Sequence, residues 1–313
     1  MGVALLLLVL FLVVGLGWAH LAIRNEHAPL PSPAELATGF ASEDRPVRLS
    51  WINTASQKMP RSAVLDSSQD PNGSEPYTMS FPAFVLEWAD GRILLVDAGM
   101  PRADAITFGP PAEWAAGADP IEPHQSLADG LGAASDRVGA VVFTHLHTDH
   151  VAGVKELCGA RSKPIAVPMT KQQAENSNYS TRPGRQIIDE NTCLEPKALE
   201  PAKIQPIPGF PGVALVAAGG HTPGTQLVVA EVGTGDAARR YAFTGDIVNH
   251  IDGVRNDLSK PALYRWLVIP EDDERLGELR RLLGTLERDQ GFTLLVSHDQ
   301  RSIEAVGVPP FQP

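Results

Sequence analysis

Eight short apolar runs recur between Val47 and His298: VRLSWI, PAFVLEW, RILLVDAG, GAVVFTH, VALVAAGG, TQLVVAEV, RYAFTGD and FTLLVSH. They restrict the chain more than any other feature. Each has the length and the β-branched content of a strand, and several are apolar at consecutive positions, as strands covered on both faces require. Helical patterns are fewer, at Ser126 to Arg137, Asp149 to Leu157 and Glu271 to Gln290. In the last, Leu276, Leu279, Leu282, Leu283 and Leu286 recur at helical spacing, the first turn is acidic, and Gly291 stands just past the end. Strands with helices between some of them predict an α/β fold of packed layers. No linker or internal repeat interrupts residues 46–313, which read as one domain.

Ahead of that domain, Val3 to Ile23 is an apolar run broken only by His20. Roughly twenty helical residues, at about 1.5 Å each, cross a bilayer core. Residues 1–24 are therefore expected to form a hydrophobic helix, either a membrane anchor or a signal peptide. The anchor is favoured, because no Lys or Arg precedes the run and it outlasts a signal-peptide core, although Gly17-Trp18-Ala19 offers a cleavage site. Arg24 alone does not settle orientation. The domain is expected outside the cytoplasm, anchored or exported, where Cys158 and Cys193 either pair or stay as two buried thiols. Residues 25–45, polar and Pro-rich, read as a tether. The formal charge of −11 argues against a nucleic-acid partner, and two cysteines are too few for a disulfide scaffold or a four-thiolate zinc site.

Chemistry concentrates in GAVVFTHLHTDHVAGVKEL. A β-like run ends at Thr144, His145, His147, Asp149 and His150 follow, and a helical pattern then begins. In extended chain, positions i and i+2 project to the same side, so His145 and His147 can grip one ion. As the chain turns into the helix, Asp149 and His150 point toward a second position. Imidazole and carboxylate suit zinc and other borderline divalent metals. Three further pieces sit where strands run out: His221 in GGHTPGT, Asp246 in TGD and His298 in SHD.

Taken together, these motifs resemble the metallo-beta-lactamase-fold superfamily of hydrolases, in its order and spacing, from about Pro46 to His298. The resemblance implies a four-layered αβ/βα sandwich with a two-metal site at one edge of the sheets. It places His145, His147 and His221 on the first metal, Asp149, His150 and His298 on the second, and Asp246 between them. Asp97, in LLVDAG, would orient a ligand. Two divalent ions are implied as cofactors, with zinc favoured, although similar ligand sets also host iron, manganese or cobalt. The implied reaction is hydrolysis of a small-molecule substrate by a bridging hydroxide, with Asp149 or a water carrying the proton to the leaving group.

Within the superfamily, the flavin-linked di-iron enzymes place a glutamate where His147 stands, and β-lactam-opening enzymes place a cysteine where Asp246 stands. Nuclease members fit poorly with the negative charge. Thioester hydrolases of glutathione adducts carry a C-terminal extension, whereas fifteen residues follow His298 here. The lactonase-like branch fits best, including His298-Asp299 in the last motif. Its tyrosine three residues after the bridging aspartate is replaced by Asn249, with Tyr241, Tyr264 or His250 as substitutes to weigh. Ester or lactone opening is the leading expectation. Phosphodiester, sulfate ester and thioester hydrolysis, a mononuclear iron persulfide dioxygenase and a non-catalytic metal-bearing binding domain are the alternatives. Substrate choice is expected in Met100 to Pro123, Ala166 to Glu200 and Ile247 to Pro270, where Phe108, Trp114, Tyr179 and Trp266 are aromatic candidates, each more often packing than ligand contact. Oligomeric state is not legible.

Overall fold

Alternate residues of the apolar runs serve two different cores. In Ile93–Val96, Ile93 and Leu95 pack with one cluster, Leu94 and Val96 with another. That division follows from the two-residue period of a strand. The computed structural model describes residues 2–24, 27–159, 161 and 163–313, without the side chains of residues 2–9, 11 and 12. All eight runs form strands. Among the described residues one sheet contains β1 (Arg48–Pro60), β2 (Pro76–Glu87), β3 (Ile93–Val96), β4 (Glu122–Pro123), β5 (Val138–Val142), β6 (Ile165–Met169) and β7 (Leu194–Ala198), in the order β4-β1-β2-β3-β5-β6-β7. The second contains β8 (Gln205–Pro206), β9 (Val213–Ala217), β10 (Gln226–Val232), β11 (Arg239–Gly245) and β12 (Phe292–Val296), in the order β12-β11-β10-β9-β8.

Between the sheets lie Phe84, Leu94, Val142, Leu215, Val228, Phe243 and Leu295. On the outer face of the first sheet, Val85, Leu95 and Val141 pack against helical Leu127, Val151, Leu157 and Ile188. The outer face of the second, with Val216, Val229 and Leu294, is covered by the leucine stripe of the Asp273–Gln290 helix. Helix, sheet, sheet and helix give four layers. Asp272 caps that helix through Arg275 N, and Gly291 ends it at φ 67°.

Three expectations need correction. The stretch 27–45 is no tether: Ser32 caps the Pro33–Thr38 helix, and Leu36 and Phe40 are buried beside Leu279 and Leu283. Arg275 Nη2 donates to the Ala28 carbonyl at 2.7 Å, and Arg45 pairs with Glu231 at 2.9 Å. Apolar residues among the prolines give this segment core to bury. Residues 25 and 26 lie outside the described residues. Ser126 to Arg137 breaks at Gly132 into a helix, Leu127–Leu131, and a 3-10 turn, Gly132–Arg137. Asp149 to Leu157 divides into Thr148–Val151 and Val154–Gly159.

At the amino terminus, Gly2–Arg24 is one helix, and Ile23 is buried. Among the described residues no helix is long and apolar enough to cross a membrane, and much of the apolar run's side-chain set lies outside them. Cys158 and Cys193 form a disulfide, with Cα atoms 5.6 Å apart.

Candidate metal centre

Strand direction brings the motifs to one edge. β3 and β5 are parallel, as are β11 and β12, while β9 and β11 each pair antiparallel with β10 and so run the same way. The chain leaves β3 at Asp97, β5 toward His145, β9 toward His221, β11 at Asp246 and β12 toward His298. The two sheets are joined at this edge where Gln226 N donates to the Thr144 carbonyl at 2.8 Å.

The seven residues singled out by sequence converge. His145, His147, His221 and Asp246 form one group, Asp149, His150 and His298 another, and within each group the donor atoms lie within 4.8 Å of one another. Asp246 faces both. Its Oδ1 is 3.2 Å from His150 Nε2 and 3.0 Å from His298 Nε2, and its Oδ2 is 3.6 Å from His221 Nε2. Nitrogens of His145 and His221 approach His147 Nδ1 at 3.0 and 3.2 Å, and Nε2 of His150 and His298 stand 3.2 Å apart. Ring nitrogens converging on a common point are what a shared cation demands.

Each ring is aimed by a bond to its outer nitrogen. His150 Nδ1 donates to Asp97 Oδ2 at 2.9 Å, His221 Nδ1 to Glu271 Oε1 at 2.5 Å and His298 Nδ1 to the Ser80 carbonyl at 2.7 Å. That leaves the Nε2 lone pair of all three facing inward. His147 is turned the other way, with Nε2 on Ser180 Oγ at 2.8 Å. Asp97, fully buried and at φ 59°, accepts from Thr144 N at 2.7 Å while it holds His150. This non-glycine residue in the left-handed region is a strained position retained where it orients a functional group.

The electrostatics suit cations. Burial pushes His145 well below its usual pKa and His147 down to about 3, so both are neutral lone-pair donors. Burial also opposes charge on His150 and His298. Asp97, Asp149 and Asp246 nevertheless hold His150 well above its ordinary value, and Asp246 and Asp149 hold His298 up at about 9. Three carboxylates thus demand positive charge beside the second group. Asp246 Oδ1 is buried and receives no hydrogen bond, as suits an oxygen reserved for an ion. The donor set fits a divalent metal in each group.

The centre forms the floor of a cleft of about 1210 Å³, reached by His147, Asp149, Asp246 and His298. Its walls come mainly from residues 103–116 and 260–269, joined by Met59, Val64 and Met79, and are largely apolar, with Phe108, Leu263 and Val268 among them. All three predicted connections therefore reach it, two of them as walls. The third, Ala166 to Glu200, is mostly occupied by β6, β7 and two helices and contributes Ser180. Of the aromatic candidates, Phe108 lines the cleft; Trp114 is 93% exposed, Trp266 packs on His20, and Tyr179 donates to the Val268 carbonyl. Asn249 lines the cleft where the tyrosine was expected, and Tyr264 lines it from the 260–269 wall. Tyr241 packs in the intersheet core, and His250 contacts Arg61 and Asp252.

Sequence reasoning missed Lys260 and Glu271, both buried beside His221, and Ser180. None lies in a motif or at a strand end, and Glu271 reads in the sequence as a helix-capping acid.

Comparison with known proteins agrees with the geometry. The profile described as metallo-beta-lactamase superfamily matches residues 82–298. Among solved structures, a quorum-quenching N-acyl homoserine lactone lactonase superposes with a TM-score of 0.60 at 14% identity, covering 84% of this chain and 97% of that one. A probable metal-dependent hydrolase from Staphylococcus aureus gives 0.53 at 15%, covering 83% and 91%. AidC, a dizinc quorum-quenching lactonase, gives 0.53 at 12%, covering 82% and 90%. At these identities the likeness is one of fold. No curated protein matches the sequence. With the profile spanning most of the domain and two metal-ligand groups at one sheet edge, the chain belongs to the metallo-beta-lactamase superfamily.

Proposed function

We propose that the protein is a metal-dependent hydrolase with two zinc-type ions that opens a neutral ester or lactone bearing an apolar chain. One observation carries this reading: two neighbouring donor groups, with Asp246 of the first also facing His150 and His298 of the second, lie at the floor of a cleft with apolar walls. His145, His147 and His221 would hold one ion, Asp149, His150 and His298 the other, and Asp246 would span them. When bound, such ions supply a Lewis acid for the carbonyl and an acidified water as nucleophile. The protein's part is to fix ring orientation through Asp97, Glu271, Ser80 and Ser180 and to seat the apolar chain against Phe108 and Leu263. Asp149 lines the cleft with Oδ2 3.4 Å from His298 Nε2. We assign Asp149, or a released water, to take the proton given up by the attacking water and pass it to the departing oxygen.

A neutral substrate is favoured over a phosphodiester or sulfate ester. Lys260, the one Lys or Arg among the described cleft-lining residues, is already paired with Glu271 at 2.6 Å, and the formal charge is −11. A single-iron dioxygenase would leave His150 and His298 unused, yet both are oriented by outer hydrogen bonds. Zinc-loaded protein offered lactones, esters, thioesters, phosphodiesters and sulfate esters should hydrolyse the first two, with kcat/KM rising with chain length, and lose activity to a chelator. Turnover of phosphodiesters alone, or a protein that retains one iron and cleaves none of these, defeats the proposal.

The chain is also proposed to be exported and held at a membrane by its apolar amino terminus. The Cys158–Cys193 disulfide supports an oxidising compartment, and the Val3 to Ile23 run supports anchoring. A topology reporter fused after Pro313 should report the non-cytoplasmic side; a cytoplasmic signal overturns the proposal.

A further inference from the structure

Lys260 and Glu271 are 5% and 3% exposed and meet at 2.6 Å. Glu271 Oε1 also accepts from His221 Nδ1, while Oε2 has no partner; Lys260 Nζ donates to the Asp246 backbone carbonyl at 2.5 Å. The pair therefore touches one residue of the first donor group and the backbone of the residue between both groups. Its two members also bracket Pro261–Pro270, the segment that supplies Leu263, Tyr264, Val268 and Ile269 to the cleft wall. Elsewhere that segment is held at a few polar points. Leu263, Trp266, Leu267 and Val268 are more than half exposed, while Tyr179 Oη donates to the Val268 carbonyl, His20 meets the Trp266 carbonyl, and Arg265 pairs with Asp273 and lies 3.9 Å from Asp66.

We propose that Lys260 and Glu271 form a buried clamp in which Glu271 sets the donor strength of His221 and Lys260 couples ion binding to the order of the substrate-facing wall between them. Glu271 is a positioning residue: a carboxylate on Nδ1 fixes the ring and raises the basicity of Nε2. Lys260 ties the start of the wall to the same carboxylate and to the Asp246 backbone. An ion that draws on His221 thereby tightens both ends of the wall. By linkage, a chain packed on the wall strengthens ion retention. The clamp rests on the reading above, that His221 donates to an ion.

The test uses the full chain, titrated with Zn²⁺ against a competing chromophoric chelator, with amide hydrogen exchange of residues 261–270 read with and without Zn²⁺. Glu271→Gln should weaken one of the two zinc affinities about 10- to 100-fold and abolish zinc-dependent protection of the wall. Glu271→Asp should recover part of both. Lys260→Met, which leaves Glu271 on His221, should keep zinc affinity within about threefold of wild type yet lose the wall protection. Glu231→Gln, at the remote Arg45 pair, should change neither. Unaltered zinc affinity in Glu271→Gln overturns the clamp, as does undiminished wall protection in Lys260→Met. Wild-type protein that takes up no Zn²⁺ instead overturns the metal reading beneath it.

Discussion

Asp246 is the side chain whose two oxygens face different donor groups, and that geometry separates its loss from the loss of any one histidine. Asp246→Ala should reduce zinc content from about two ions per chain to below one, whereas His298→Ala should retain about one. Elemental analysis of dialysed protein distinguishes them, and equal losses would mean that the roles are misassigned. Asp70 serves stability. Arg61 hydrogen-bonds it at 2.6 Å in a buried pair and holds its carboxyl below the usual aspartate range. Its contribution is complete above the unfolded aspartate pKa and is lost as pH falls through the lowered folded value. Asp70→Asn should cost about 1 to 2 kcal/mol in urea unfolding at pH 7, since Arg61 keeps Asp252 as a partner, with the gap to wild type closing at acid pH. The metal-site residues were legible because they cluster within six positions or follow strands directly. Lys260 and Glu271 were not, since their partnership exists only where a loop folds back on His221.

At the scale of elements, the strands were legible and the helix limits less so. Apolar runs ending on polar residues carry their own boundaries. The pattern through Asp149 and Leu157 looks continuous, yet Gly153 breaks it, because its amide bonds the Gly99 carbonyl at 2.9 Å and a Cβ there would collide with the Ala98 carbonyl. This contact presses the histidine-bearing turn onto the end of β3, beside Asp97. Gly153→Ala should therefore cost about 2 kcal/mol and lower zinc content as well. Thermal unfolding and metal analysis of one preparation test this, and a variant with wild-type values in both would show that the turn tolerates the displacement. β6 and β7 escaped notice because IAVPM and LEPKA carry prolines, and four of the five β7 residues are exposed.

For the molecule as a whole, the layers are sewn together by segments whose sequence looks dispensable. The stretch 27–45 covers the leucine face of the Asp273–Gln290 helix, and the disulfide closes a separation of 35 residues between the Val154–Gly159 helix and the start of β7. Replacing Cys158 and Cys193 together by Ser should lower unfolding free energy by about 3 to 4 kcal/mol, from loop-closure entropy returned to the unfolded chain. Zinc content should be retained, because neither sulfur belongs to a donor group. Denaturant unfolding of oxidised, reduced and double-serine protein checks the size of the effect.

By itself, the sequence determined the class of fold and the residues of the candidate metal centre, because strand period and ligand spacing are local properties carried by a few adjacent residues. The tertiary structure decided what surrounds that centre. It set which carboxylate orients which ring, which loop becomes the apolar wall, and how a lysine and a glutamate eleven positions apart come to share His221. Those outcomes depend on distances between segments remote in the chain, which only the packing of two sheets face to face can fix.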